Sequence, residues 1–159
     1  MALIDLVQIC REMAPRDRNK AAILLTPDFQ EQNVYAKRLA QATGTTHFDV
    51  LDTFRADPSL SAALPGFQPD EFFRLLAAQK APFLIVSGIE VLLAPWICQG
   101  NSPKEVKRNF CYSIEMWDGR EKPGFLLVTQ QDPVMAQFTP LRYPGSRVVI
   151  PLSQTIALP

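Results

Sequence analysis

Chemically reactive and strongly charged features are scarce in this sequence. The chain has a single histidine, His47, and contains no CxxC, HExxH, GxSxG or GxGxxG string, so the common metal, nucleophile and dinucleotide motifs are missing. Sixteen basic residues balance sixteen acidic ones, which removes any global electrostatic argument for nucleic acid or a membrane surface. No apolar run approaches the roughly 18 residues of a membrane helix.

The three cysteines, Cys10, Cys98 and Cys111, are odd in number and lie in apolar or helical surroundings. This usage predicts reduced core thiols in a cytoplasmic protein. The N-terminal stretch carries Asp5 among its apolar residues, which is unlike a signal peptide. At 159 residues the chain has the length of one domain, so residues 1–159 are taken as a single unit.

Hydrophobic patterning predicts alternating helices and strands. The apolar or alternating runs 21–25, 47–52, 83–86, 125–129 and 147–152 predict strands, and helical spacing predicts helices over 2–13, after 26–28, over 70–80 and from 102 to about 117. Residues 53–69 are predicted to be irregular. Such alternation is typical of an α/β three-layer sandwich with a mainly parallel five-stranded sheet. Other doubly wound folds, such as flavodoxin-like ones, are also compatible with this order of elements.

The segment from Lys20 to Ala42 resembles the strand, loop and helix of a P-loop. Aligned without gaps on GPxGxGKT, its slots hold Thr26, Pro27, Asp28, Phe29, Gln30, Glu31, Gln32 and Asn33, and the following helix reads AKRLA in frame. Thr26, Phe29 and Glu31 replace glycines that let the backbone approach a phosphate. Gln32 replaces the phosphate-binding lysine, and Asn33 replaces the magnesium-binding Ser or Thr.

The whole chain resembles the core of P-loop NTPases, in the branch of AAA+ and RecA-like ATPases. In this resemblance the Walker B acids are replaced by Ser87 and Gly88, Glu90 stands two residues late, and Thr129 or Gln130 occupies the sensor 1 position. Arg142 or Arg147 lies near where an arginine finger would act in trans, and the helical lid is missing. The resemblance therefore implies a degenerate P-loop domain without a catalytic site, cofactor or metal.

A narrower resemblance, carried by Ser87 to Pro95 (SGIEVLLAP) and by the compact outline, is to the small P-loop proteins of BREX phage-defence systems, the BrxF family. It implies partners that include a large ATPase. The first functional hypothesis is thus a non-catalytic subunit of a larger ATPase assembly, which binds protein partners or further copies of itself. The apolar segment 91–97, with Phe67, Phe72 and Phe73, is expected to be mostly core and partly interface.

Two other hypotheses remain open. The first is a nucleotide-binding or hydrolytic α/β enzyme, with ligands at the carboxyl ends of the strands: Thr26, Asp28, Asp52, Ser87, Glu90, Thr129 and Gln130. His47, at the start of a strand, is expected to be a surface residue at the wrong edge for catalysis. The second is local nucleic-acid binding by Lys104, Lys107 and Arg108, together with Arg120 and Lys122 and with Trp96 and Trp117 beside them.

Overall fold

The computed structural model describes residues 3–27, 29–99, 102–142 and 145–158, apart from the side chains of residues 29 and 30. Five strands are present in these ranges: β1 (Ala21–Thr26), β2 (Thr46–Asp49), β3 (Phe83–Ser87), β4 (Gly124–Gln130) and β5 (Val149–Pro151). The helices are α1 (Leu6–Met13), α2 (Phe29–Thr43), α3 (Val50–Ala56), α4 (Pro58–Ala63), α5 (Pro69–Ala77), α6 (Glu90–Gln99), α7 (Pro103–Glu115) and α8 (Pro133–Ala136). None of the helices in these ranges has the length and apolarity needed to cross a membrane.

The five strands form one all-parallel sheet in the order β2-β3-β4-β1-β5. This confirms the predicted α/β class with a parallel five-stranded sheet. The order differs from the flavodoxin-like order, in which the first strand pairs with the second, so that alternative is wrong. The central strands β1 and β4 are paired along their whole length, from Ala21 beside Phe125 to Thr26 beside Gln130.

Helices cover both faces of the sheet, as expected for a parallel sheet whose strands read as continuous apolar runs. Helices α1 and α2 pack on one face, where Leu6 and Leu39 meet Leu24 and Leu126. The longer series α3 to α8 packs on the other face, where Phe72 and Ile114 meet side chains such as Leu127. The apolar segment 91–97 and the three phenylalanines Phe67, Phe72 and Phe73 belong to or pack against this second core.

Two of the differences from the sequence prediction arise from helix capping. The strand predicted over 47–52 ends at Asp49, because the Asp49 carboxylate accepts the backbone N–H of Asp52 and starts α3. Residues 53–69, predicted to be irregular, are largely helical, since Asp57 caps α4 and Pro58 opens it. Residues 91–93 are the first turn of α6.

The cysteine prediction is correct for two residues and wrong for the third. Cys10 and Cys111 are buried, and burial raises the pKa of each thiol to about 12, so both are poor nucleophiles. Cys98 is exposed near the end of α6.

Candidate functional site

The candidate site lies at the carboxyl edge of the sheet, where β1 and β4 end side by side. The chain leaves β1 toward β2 through α2 on one face, and it leaves β4 toward β5 through α8 on the other face. Neighbouring strands whose connections diverge in this way open a crevice, which is the usual ligand position in an open parallel sheet. The predicted residues Thr26, Gln32, Ser87, Thr129 and Gln130 all come from segments that end at this edge.

The phosphate loop expected from the Walker A frame is not formed. Helix α2 begins at Phe29, so the slots Gln32 and Asn33 lie within the helix. Asp28 itself lies outside the described residues. The resemblance to a P-loop implies a loop over these slots, and for residues 29–33 this expectation is wrong because they are helical. The physical reason is the loss of glycine, because residues with ordinary helix propensity extend the helix where glycines would keep the loop open.

One carboxylate joins the ends of three segments across the crevice. Glu90 Oε2 accepts hydrogen bonds from Gln32 Nε2 at 3.0 Å, from Thr129 Oγ1 at 2.6 Å and from the backbone N–H of Gln130 at 3.1 Å. We call these four residues the Glu90 cluster. Gln32 is only 2% exposed. The side chains in the Walker A lysine slot and the sensor 1 slot are thus hydrogen-bonded to a common acceptor of the protein itself.

Gly88 brings Glu90 to this position. Its φ is +75°, a conformation that favours glycine, and a Cβ at residue 88 would lie 2.8 Å from Asp49 Oδ1. This left-handed residue directs the chain from Ser87 into the first turn of α6, which Glu90 opens. Glu90 is among the candidates predicted at the carboxyl ends of the strands, and its side chain lies at this edge.

A second group of polar side chains, the Ser87 cluster, lies at the end of β3. Ser87 Oγ donates to Asn33 Oδ1 at 3.0 Å and contacts His47 Nε2 at 2.7 Å. Because the hydroxyl has one proton and gives it to Asn33, His47 Nε2 carries a hydrogen and donates to Ser87. Burial lowers the pKa of His47, partly offset by Asp49. His47 is therefore half-buried at the carboxyl edge, and the prediction of a surface residue at the wrong edge is wrong.

The Ser87 cluster brings a serine and a histidine together without arranging them for nucleophilic catalysis. Activation of a serine requires the imidazole to accept the hydroxyl proton, whereas this hydroxyl points to Asn33. Ser87 is also 0% exposed, so a substrate cannot reach its oxygen. Asp52, another residue considered for catalysis, lies on the surface of α3 beside Arg55.

A cavity of about 270 Å³ opens beside Glu90, Thr129 and Gln130, with Leu93 and Met135 in its wall. Glu90 Oε1 is buried and has no hydrogen-bond partner among the described residues. No group of three or more His, Cys, Asp or Glu side chains in the described ranges is placed to hold a metal ion. Apart from Glu90 Oε1, the side chains of the Glu90 cluster that meet here are hydrogen-bonded to one another.

Arg142, predicted as an arginine that acts in trans, lies at the opposite end of the fold. Its guanidinium pairs with Asp118 at 2.8 Å and also contacts the sulfur of Met116. Asp118 in turn accepts the backbone N–H of Asn19, just before β1 begins, so this arginine belongs to the amino edge of the sheet. A role in trans would require breaking the pair with Asp118.

The predicted nucleic-acid patch is only partly present. Lys104 and Arg108 are exposed on α7, but the ammonium of Lys107 pairs with Asp132. Trp96 and Trp117 are buried, and their indole N–H groups donate to the backbone oxygens of Phe67 and Pro123. Arg120 pairs with Asp17, and Lys122 lies over the Trp117 ring. Within the described ranges, Lys104 and Arg108 are the cations of this patch that have neither an acidic partner nor a ring contact.

The geometry defines the class of molecule: an open, parallel α/β sheet with a polar crevice at its carboxyl edge. Comparison with known proteins finds no family model and no curated protein that matches this chain.

Proposed function

We propose that this protein is a non-catalytic, P-loop-like subunit that binds protein partners within a larger ATPase assembly. The assembly would be of the phage-defence or DNA-transacting kind implied by the resemblance of residues 87–95 to small BREX P-loop proteins. Partners would be an ATPase or another subunit of the complex, and further copies of the chain would belong to the same assembly.

The order of the strands supports the P-loop part of the proposal. Strand β1, which precedes the Walker A frame, is an interior strand between β4 and β5, so the frame follows it at the edge of the sheet where open α/β sheets bind ligands. Two of the slots that would contact nucleotide, Gln32 and Thr129, meet at Glu90 in one crevice, and the slot at the end of β3, Ser87, contacts Asn33 of the Walker A frame. A similar fold does not determine function. The proposal that the protein is non-catalytic therefore depends on the side chains of the site.

The observation that carries the non-catalytic proposal is the Glu90 cluster. In a nucleotide-binding P-loop the donors at this position face phosphate oxygens, whereas here Gln32, Thr129 and the Gln130 N–H all donate to Glu90 Oε2. A triphosphate would meet the negative charge of Glu90 in place of a lysine. It would also find the first turns of α2 where a glycine loop should wrap around it.

The enzyme alternative is less well supported by the same geometry. A hydrolase needs an accessible nucleophile, a base and an oxyanion site, and the serine of the Ser87 cluster is fully buried. Nucleic-acid binding is also less well supported, because Lys107 is paired and both tryptophans are in the core.

Two measurements test the proposal. The purified protein should show no ATP hydrolysis above the rate of a buffer blank and no change in melting temperature with magnesium and ATP. Affinity purification from the native host should recover a defined ATPase or other complex subunit in a fixed ratio. Hydrolysis that depends on Glu90, tested with Glu90→Gln, would overturn the non-catalytic assignment.

A further inference from the structure

The outer side of α7 carries a groove that the Glu90 cluster does not use. A cavity of about 350 Å³ lies between α7 and the segment after α8. We call this cavity the α7 groove, and its lining includes Lys104, Arg108, Tyr112, Phe138 and Leu141. The Tyr112 and Phe138 rings pack edge to face, 5.0 Å apart at an interplanar angle of 74°. This pairing fixes the shape of the apolar floor.

Two cations stand at one side of the groove. Lys104 and Arg108 are four residues apart on α7, so they lie on the same helix face, separated by about 6 Å along the axis. Both are exposed, and neither has an acidic partner within the described part of the chain. Lys107, by contrast, is neutralised by Asp132. The groove therefore has a local positive charge on a protein whose acidic and basic residues balance.

An exposed leucine on a fixed backbone forms the far side of the groove. Leu141 is 67% exposed, yet its backbone N–H donates to the buried carboxylate of Glu115 at 3.1 Å. The next residue, Arg142, donates its own N–H to the other oxygen of Glu115 and pairs with Asp118. An apolar side chain held in this way can contact a partner with little loss of conformational entropy.

We infer that the α7 groove binds a protein segment that carries two carboxylates about 6 Å apart and one apolar side chain. The carboxylates would pair with Lys104 and Arg108, and the apolar side chain would pack on Phe138 and Leu141. This inference rests on the proposed function as a partner-binding subunit, and it names the surface and the chemistry of the partner.

The charge and the lining favour a peptide over nucleic acid. Nucleic-acid binding at physiological salt usually draws on many phosphate contacts, and the groove offers two free cations. The edge-to-face packing of Tyr112 on Phe138 also engages the rings that could otherwise serve as a stacking platform for bases. A carboxylate pair with an apolar anchor matches both parts of the lining.

The test is a selection from a random peptide library displayed on phage, with the full chain as bait, followed by fluorescence anisotropy on the enriched peptides. Enriched peptides should share two acidic residues beside a large apolar one. Binding should weaken at least tenfold in the double variant Lys104→Glu, Arg108→Glu and in Leu141→Ala, while Leu141→Met retains it. The matched control reverses two exposed cations on α2, Lys37→Glu with Arg38→Glu, and should leave binding unchanged.

Several outcomes would overturn the inference: no enriched peptide, enrichment without acidic residues, or peptides that bind the Lys104→Glu, Arg108→Glu variant as well as the wild type. Labelled single-stranded DNA that binds the wild type but not this variant would assign the groove to nucleic acid instead. These results are separate from those for the proposed function. ATP binding by the wild type would refute the proposal of a non-catalytic subunit and would leave the peptide result unchanged. Peptides that bind at another surface would refute only the inference about the α7 groove.

Discussion

The Thr129 hydroxyl donates to Glu90 Oε2 at 2.6 Å, from the end of β4 to the first turn of α6. The same oxygen accepts the Gln32 amide from α2, so one atom connects the two faces of the sheet at its carboxyl edge. Hydrogen bonds to a charged group are worth more than neutral ones. Glu90 is therefore expected to be a major stabilising residue at this edge.

Replacing Glu90 should show how much the cluster contributes. Glu90→Ala leaves the buried Gln32 amide and the Thr129 hydroxyl without their acceptor, and we expect a loss of about 3 kcal/mol in the free energy of unfolding. Glu90→Gln keeps one acceptor oxygen and puts its amide where the unpaired Oε1 lies, so about 1 kcal/mol is expected. Urea denaturation followed by circular dichroism measures both.

The control for Glu90 is Glu31, which is also in the first turn of a helix but exposed. Glu31→Ala should change the free energy of unfolding by less than about 0.5 kcal/mol, as for most surface substitutions. Equal effects of Glu31→Ala and Glu90→Ala would contradict the role given to the cluster.

Gly88→Ala should destabilise the protein through two separable effects. Its positive φ costs a non-glycine residue about 1 kcal/mol, and the new Cβ would clash with Asp49 Oδ1, so a total of about 2 to 4 kcal/mol is expected. Gly44→Ala, with a φ of +67° but no neighbour within 4 Å, should show the conformational part alone. Thermal denaturation compares them, and equal losses at the two sites would exclude the clash.

The sequence could predict the sheet because its strands are buried on both faces. Runs such as Phe83–Ser87 are apolar without alternation, and that pattern is typical of central parallel strands. The short helices between β2 and α5 escaped prediction because α4, for example, has no buried residue. Its start depends instead on the Asp57 cap and on Pro58, and proline is as typical of loops as of a first helical turn.

The site was predicted in position but not in its contacts. Parallel topology brings Gln32, Ser87 and Thr129 to one edge, and the alignment found those residues. Glu90 was named as one candidate at this edge, but its role as the shared acceptor could not be predicted, because its position depends on the φ of Gly88. His47 was missed because β2 is only four residues long and begins at Thr46, which leaves the His47 side chain within reach of Ser87 at the carboxyl edge. The one available signal was the glycine directly after a buried strand.

Restoring the lysine of the P-loop motif should not restore nucleotide binding. In Gln32→Lys the ammonium would lie beside Glu90 and form an ion pair with it. Residues 29–33 would still be helical and no glycine loop would be present. We expect an unchanged or higher melting temperature and no further shift with magnesium and ATP. A shift of several degrees that depends on ATP in this variant alone would show that the loop can re-form.

His47 should make stability depend on pH near neutrality. Burial lowers its pKa in the folded protein, while the unfolded chain titrates near 6.5. As the pH falls below about 6.5, the unfolded state takes up protons that the folded state does not, so the free energy of unfolding decreases until the folded pKa is reached. Chemical denaturation at several pH values between about 5 and 8 should show a steeper loss for the wild type than for His47→Gln. Parallel curves would contradict this role.

Calorimetric titration of the purified protein with ATP and magnesium tests whether the carboxylate of Glu90 occupies the place where a nucleotide would bind. If it has, the wild type gives no binding isotherm even at millimolar ATP, and Glu90→Gln gives none either. A micromolar dissociation constant for the wild type, lost on substitution of Gln32 or Thr129, would show that this edge of the sheet still binds nucleotide.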